Sequence, residues 1–177
     1  MSKVGKKFPD ISVNAMNEMG DTFKINVLQE ALENKKKIIL FWYPKDFTFV
    51  CPTEIHAFQS KLSEFEKRNT MVIGASCDTP EVHFAWLSTP KDNGGIEGVT
   101  FPLIADSTRH LSETLDILDT EYVGTEENYS IEGDNVSYRA TFLIDEEGTI
   151  FHESVNVMPL GRNVDEYLRL IDGYAHN

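Results

Sequence analysis

The chain has 177 residues, 41% of them hydrophobic and 25% charged, a balance that belongs to a folded globular chain and excludes a disordered or low-complexity one. Acidic side chains outnumber basic ones by 29 to 16, and the resulting charge of −13 repels phosphate backbones and anionic lipid heads, so neither nucleic acid nor a membrane surface is an expected partner. No apolar stretch follows Lys3, Lys6 and Lys7 as in a secretory leader, no run reaches membrane-spanning length, and Cys51 and Cys77 alone make no disulfide framework; the expected compartment is the reducing cytosol.

Without repeats, linkers or composition breaks, the sequence predicts one continuous domain over 1–177. Phe23, Ile25 and Val27 alternate with polar neighbours and predict a short early strand, and Ile38-Ile39-Leu40-Phe41-Trp42-Tyr43 reads as a strand buried on both faces and ended by Pro44. Ile55, Phe58, Leu62 and Phe65 recur at helical spacing, predicting a helix over 51–68 with Cys51 at its start. A second buried strand follows at 71–76, then a helix carrying Val82, Trp86 and Leu87, a shorter strand at 101–104 and a helix over 108–118. Residues 138–144 and 149–157 flank Asp145-Glu146-Glu147-Gly148 and predict an antiparallel hairpin. Asn163 and Glu166 resemble an N-cap and capping box for a last helix whose apolar face holds Val164, Tyr167, Leu168 and Ile171. Strands alternating with helices and closing in a hairpin and helix point to an α/β fold, a mixed sheet flanked by helices, and a thioredoxin-like architecture fits that order.

A thiol reacts as its thiolate, and a cysteine in a helix's first turn gains from unpaired N–H groups and the positive end of the dipole. Pro52 suits that turn, because its missing N–H would be unpaired there anyway. The competing reading of Cys51 is a small buried apolar filler.

The segment Phe41-Trp42-Tyr43-Pro44-Lys45-Asp46-Phe47-Thr48-Phe49-Val50-Cys51-Pro52-Thr53-Glu54 resembles the active-site stretch of the typical two-cysteine peroxiredoxins, the alkyl hydroperoxide reductase and thiol-specific antioxidant group. The likeness continues through Gly74-Ala75-Ser76-Cys77-Asp78, His83-Phe84-Ala85-Trp86, 101–106, 138–145 and 161–166, and so covers nearly the whole chain. It implies a thioredoxin-like peroxidase in which Cys51 is the peroxidatic cysteine, Pro44 and Thr48 are the loop residues of the motif and Arg139 is the active-site arginine. An arginine near the sulfur would favour the thiolate and offer fixed donors to a peroxide oxygen, while the Thr48 hydroxyl can both donate and accept along the O–O bond and Pro44 can wall the pocket. Glu54 and Arg162 also match family positions: the carboxylate either orients the arginines or caps the helix, with Arg162 then a surface cation. Trp86 either packs as plain core or touches the catalytic loop.

The resemblance also implies reaction of the Cys51 thiolate with hydrogen peroxide or an organic hydroperoxide to give a sulfenic acid, resolved by a second thiol, with no metal or other cofactor. It implies a homodimer, up to a ring of five dimers, and thioredoxin or a dedicated flavoprotein reductase as electron donor. A thioredoxin-like thiol–disulfide oxidoreductase and an oligomeric holdase are the alternatives, and the absence of a CxxC pair counts against the first.

Family members of this type carry a resolving cysteine after the last helix, where this sequence stops at Ile171-Asp172-Gly173-Tyr174-Ala175-His176-Asn177. Three readings follow: a sequence cut short before that cysteine, which is favoured, a one-cysteine enzyme, or Cys77 as an unusual resolver. Packing is the preferred role for Cys77, whose neighbour Asp78 is expected to raise the thiol pKa. Gly94-Gly95-Ile96-Glu97-Gly98 resembles the glycine loop of members sensitive to overoxidation, without their Tyr-Phe tail feature. His56, His83, His110, His152 and His176 show no zinc-ligand spacing, and His83, beside Phe84 and Trp86, reads as helix packing in preference to acid–base chemistry.

Overall fold

The computed structural model describes residues 1–48 and 50–176, so Phe49 of the quoted motif and Asn177 lie outside the described residues. In chain order the elements are β1 (Ser12–Met16), β2 (Thr22–Asn26), α1 (Val27–Asn34), β3 (Lys37–Trp42), α2 (Cys51–Ser60), α3 (Leu62–Lys67), β4 (Thr70–Ser76) and α4 (Pro80–Leu87). They continue with β5 (Leu103–Ala105), α5 (His110–Thr114), β6 (Glu121–Thr125), β7 (Asn128–Glu132), β8 (Arg139–Ile144), β9 (Ile150–Asn156) and α6 (Val164–Ala175). One sheet has the order β2-β1-β5-β4-β3-β8-β9, parallel through β5, β4 and β3 and antiparallel elsewhere. The expected thioredoxin-like mixed sheet, flanked by helices, is therefore what forms. None of the described helices is long and apolar enough to cross a membrane.

The central strand β3 is buried on both sides and its alternation separates two cores. Ile38, Leu40 and Trp42 face one cluster with Val27 and Ala31 of α1 and Leu111 of α5. Ile39 and Phe41, with Tyr43 just beyond the strand, face the other, where α2, α3, α4 and α6 contribute Ile55, Phe58, Phe65, Trp86 and Tyr167 among others. Phe41 stacks on Phe58 with centroids 4.0 Å apart, fixing α2 against the strand that precedes it. Gly74 of β4 permits this packing, because a Cβ there would lie 2.8 Å from Leu103 and 3.1 Å from Phe41.

Several boundaries differ from expectation. Val27 opens α1 and does not extend the strand, since the Asn26 side chain accepts from the Gln29 N–H at 3.2 Å and caps a helix there. The helix expected over 51–68 breaks at Lys61 into α2 and α3, and that expected over 108–118 is only His110–Thr114, although Leu115 and Ile117 remain buried. Strand β1 and the exposed β6–β7 ribbon carried too weak an alternation to be foreseen. Asn163 caps α6, accepting from the Asp165 N–H, but the capping box does not form: Glu166 pairs with Arg169 one turn on. The β8–β9 turn is as expected, with the Asp145 carboxylate accepting from the Glu147 and Thr149 N–H groups and Gly148 at φ 80°.

Replacing Phe58 by Ala should lower unfolding free energy by about 3–5 kcal/mol, the usual result of emptying a buried phenyl site. Urea unfolding followed by circular dichroism measures it, and a loss under about 1 kcal/mol would show that the α2–sheet contact is not what holds this layer.

Candidate active site

The chain leaves β3 at Trp42, runs through a short loop at residues 43–48, and enters α2 at Cys51. Val50 at the N-cap offers no side-chain acceptor and Pro52 occupies the first turn, so the helix start keeps N–H groups directed toward the sulfur's end of the helix. Cys51 has no exposed surface. Pro44 is buried with it, and Phe47, at φ 57°, takes a left-handed conformation that a non-glycine residue adopts at a cost of about 1–2 kcal/mol. The Thr48 hydroxyl donates to the Lys45 carbonyl at 3.3 Å, within the same loop.

Three charged side chains from three parts of the chain meet behind the sulfur. Arg139, the first residue of β8, points one guanidinium nitrogen at Cys51 Sγ, 3.6 Å away, and the same nitrogen donates to Glu54 at 2.9 Å. Its Nε donates to the Met158 carbonyl. Arg162, just before α6, donates to the same Glu54 carboxylate at 3.0 Å and to the carbonyls of Trp42 at 2.6 Å and Ala140 at 2.9 Å, while its guanidinium carbon sits 5.3 Å from the Phe41 ring centre. The backbone N–H of Arg162 donates to the other Glu54 oxygen at 2.8 Å. Of the two readings left open for Glu54 and Arg162, the carboxylate that orients two arginines is the one the geometry takes. Two buried cations against one buried anion leave one positive charge uncompensated beside the sulfur.

Trp86 satisfies both of its readings: it is fully buried, and its ring centre lies 5.8 Å from Tyr43 and 5.9 Å from Phe47 of the loop, with Nε1 donating to the Gly94 carbonyl. Cys77 lies in the opposite core, across the sheet from Cys51, with Sγ 3.6 Å from the Ser112 hydroxyl. Burial pushes its thiol pKa up, and the carboxylate that adds to the effect is Asp106; the expectation that Asp78 would do so is not met, because Asp78 binds Ser76 and the Asp46 N–H.

The residues missed in the sequence are Tyr43, Asp46 and His83. The Tyr43 hydroxyl donates to one Asp46 oxygen at 2.7 Å and His83 Nδ1 lies 2.6 Å from the other. His83 is thus more than helix packing. Asp46, Asp78 and His83 bring three ligand-type atoms within 4.8 Å of one another, a grouping invisible in their spacing, and hydrogen bonds inside the protein engage all three. The one available signal was the single carboxylate between β3 and α2.

Residues 4–153 match the family model described as the AhpC/TSA family. The chain belongs to that family. Over 176 residues it is 40% identical to alkyl hydroperoxide reductase C of Helicobacter pylori, covering 99% of this chain and 80% of that protein. Peroxiredoxin-2 of Pongo abelii is 38% identical over 175 residues, 99% of this chain and 90% of that one. Among solved structures, the reduced 2-Cys peroxiredoxin of Plasmodium vivax superposes with a TM-score of 0.86 at 36% identity, covering 99% of this chain and 83% of that chain. The activity of this family member is thiol-dependent peroxide reduction.

Truncating Glu54 to Ala would leave two buried guanidinium groups facing each other without their anion. A stability loss of about 3–5 kcal/mol is expected, as for a broken buried pair. Chemical denaturation of the variant measures it, and an unchanged midpoint would show that the carboxylate is dispensable to the cluster.

Proposed function

We propose that Cys51 is the peroxidatic nucleophile and that Pro44, Thr48 and Arg139 form its immediate peroxide site. The single observation that carries this reading is the Arg139 guanidinium 3.6 Å from a fully buried sulfur at a helix start. The thiolate attacks one peroxide oxygen in line with the O–O bond; an S–O bond forms, the O–O bond breaks, and the departing oxygen leaves as hydroxide or alkoxide and takes up a proton to become water or an alcohol. Sulfur is oxidised by two electrons to the sulfenic acid. Arg139 donates to the peroxide while charge moves onto the leaving oxygen, and the Thr48 oxygen accepts a hydrogen bond from the peroxide O–H and aligns the bond. Glu54 and Arg162 hold Arg139 in place, and Trp86 backs the loop.

The cycle closes when a thiol condenses with the sulfenic acid, releasing water and forming a disulfide that a reductant reopens. Cys77 is poorly placed for this, behind the sheet with a raised pKa. Thioredoxin or a dedicated flavoprotein reductase is the proposed electron donor and the cytosol the proposed compartment. A homodimer, extending to a ring of five dimers, is the proposed assembly; it is supported by β9 at the edge of the sheet, which is hydrogen-bonded to Gly5 and Lys6 at its start and leaves Val155 exposed further along, next to exposed Val157 and Leu160.

Cys51→Ser should abolish peroxide consumption with dithiothreitol as reductant, while Cys77→Ser keeps it within about twofold, the range of a substitution remote from the chemistry. A peroxide electrode reads both. Turnover surviving in Cys51→Ser would remove Cys51 from the reaction, and surviving suppression of client aggregation in that variant would favour a holdase role.

A further inference from the structure

The loop that carries Pro44 and Thr48 is tied down by a polar network that peroxide chemistry does not itself require. Asp46 stands at its centre with a side chain of zero exposure. One carboxylate oxygen accepts from Tyr43 Oη at 2.7 Å, the other meets His83 Nδ1 at 2.6 Å, and the Asp46 N–H donates to Asp78 Oδ2 at 2.8 Å. On the far side, His83 Nε2 lies 2.9 Å from the Ile104 carbonyl of β5. The loop is thereby linked to β3, α4, β5 and the segment after β4.

The proton count in this network is constrained. A carbonyl oxygen only accepts, so Nε2 carries a proton. Tyr43 spends its own proton on Asp46, because burial above all, and then the Asp46 charge, pushes the phenol pKa well up. The 2.6 Å contact between His83 Nδ1 and Asp46 therefore holds one further proton, written either as imidazolium and carboxylate or as imidazole and carboxylic acid. Without it, a lone pair faces a carboxylate at 2.6 Å, an arrangement that cannot persist in a site closed to water.

Resting on the peroxidase reading above, we propose that Asp46 and His83 are positioning residues for peroxide reduction: their shared proton holds residues 43–48 in place beside the Cys51 site, and loss of that proton releases them. The strain at Phe47 shows that the loop needs holding, and Phe47 and Trp86 carry any release into the aromatic wall of the site. The titratable groups facing the pair are Tyr43 from the end of β3 and Asp78 from beyond β4; the Ser76 hydroxyl donates to Asp78, and α4 adds His83 itself. Burial raises the Asp46 carboxyl; for His83 burial works against the charge, yet the Asp46 hydrogen bond and charge leave the imidazole raised. Both shifts mean that the folded loop binds the proton more tightly than the open one. The anchoring is accordingly complete below the ordinary histidine range of about 6.5 and is lost as pH rises through the raised value.

The substitution that separates positioning from mere packing is Asp46→Asn. Its carbonyl can still accept from Tyr43 and its amide can donate to a neutral His83 Nδ1, which restores the geometry without a proton to lose. Stopped-flow tryptophan fluorescence would follow Cys51 oxidation by hydrogen peroxide from pH 6 to 9.5, with hydrogen–deuterium exchange of residues 43–51 measured alongside in the full chain. Asp46→Ala should slow the second-order rate by about a hundredfold, the scale of an ångström-level misplacement, and raise exchange in this loop above that elsewhere. Asp46→Asn should recover most of that loss and lack the alkaline fall of the wild type. An Asp46→Asn profile that keeps the wild-type alkaline fall, or an Asp46→Ala loop with unchanged exchange, would overturn the proposal. Inert wild-type Cys51 would instead sink the peroxidase reading, and the exchange comparison would still decide the anchoring.

Discussion

The Glu54 carboxylate, shared by two buried arginines, is the constraint on which the site depends. It sits one turn into α2, Arg139 comes from β8, and Arg162 from the approach to α6, so this single anion fixes three elements relative to the sulfur. Two cations around one anion cannot be buried without a further negative charge or a matched set of carbonyl acceptors. The chain supplies the acceptors: the carbonyls of Trp42, Ala140 and Met158 accept from the guanidinium N–H groups, and the Cys51 sulfur lies 3.6 Å from the Arg139 guanidinium. Electrostatic balance and fold are the same problem at this point in the molecule.

Burial of the sulfur has consequences for the rest of the cycle. Cys51 has no exposed surface, and a second thiol needs S–S bonding distance, so none reaches the sulfur while its helix turn is in place. A left-handed phenylalanine places strain in the 43–48 loop, while the Tyr43–Asp46 hydrogen bond and the contact of Phe47 with Trp86 hold it.

The sheet gives the two cysteines different fates. Successive side chains of β3 point to opposite faces, and each face has its own core. Cys51 enters the face packed by α2, α4 and α6, where the arginines converge, whereas Cys77 follows β4 onto the face packed by α1 and α5, beside Ser112 and near Asp106. Their chemistry diverges because one environment is cationic and the other is apolar and edged with acid.

The nucleophile, the helix it begins and the strand before it were legible in the sequence, since they rest on local patterns: an unbroken apolar run, helical spacing after Cys51, a proline suited to a first turn. The terminal hairpin and last helix were legible for the same reason. Short elements were not: β1 has five residues of weak alternation, and the break at Lys61 leaves the helical period intact on both sides. By itself the sequence determined that a cysteine opens the helix after the buried strand and which kind of fold surrounds it. Only the tertiary structure decided that Glu54 joins Arg139 to Arg162, that Cys77 lies behind the sheet, and that Asp46 meets His83, which stands 37 residues later in the chain. Charge partners in a core are chosen by which strands lie side by side, and strand order is a property of the folded sheet that no local spacing records.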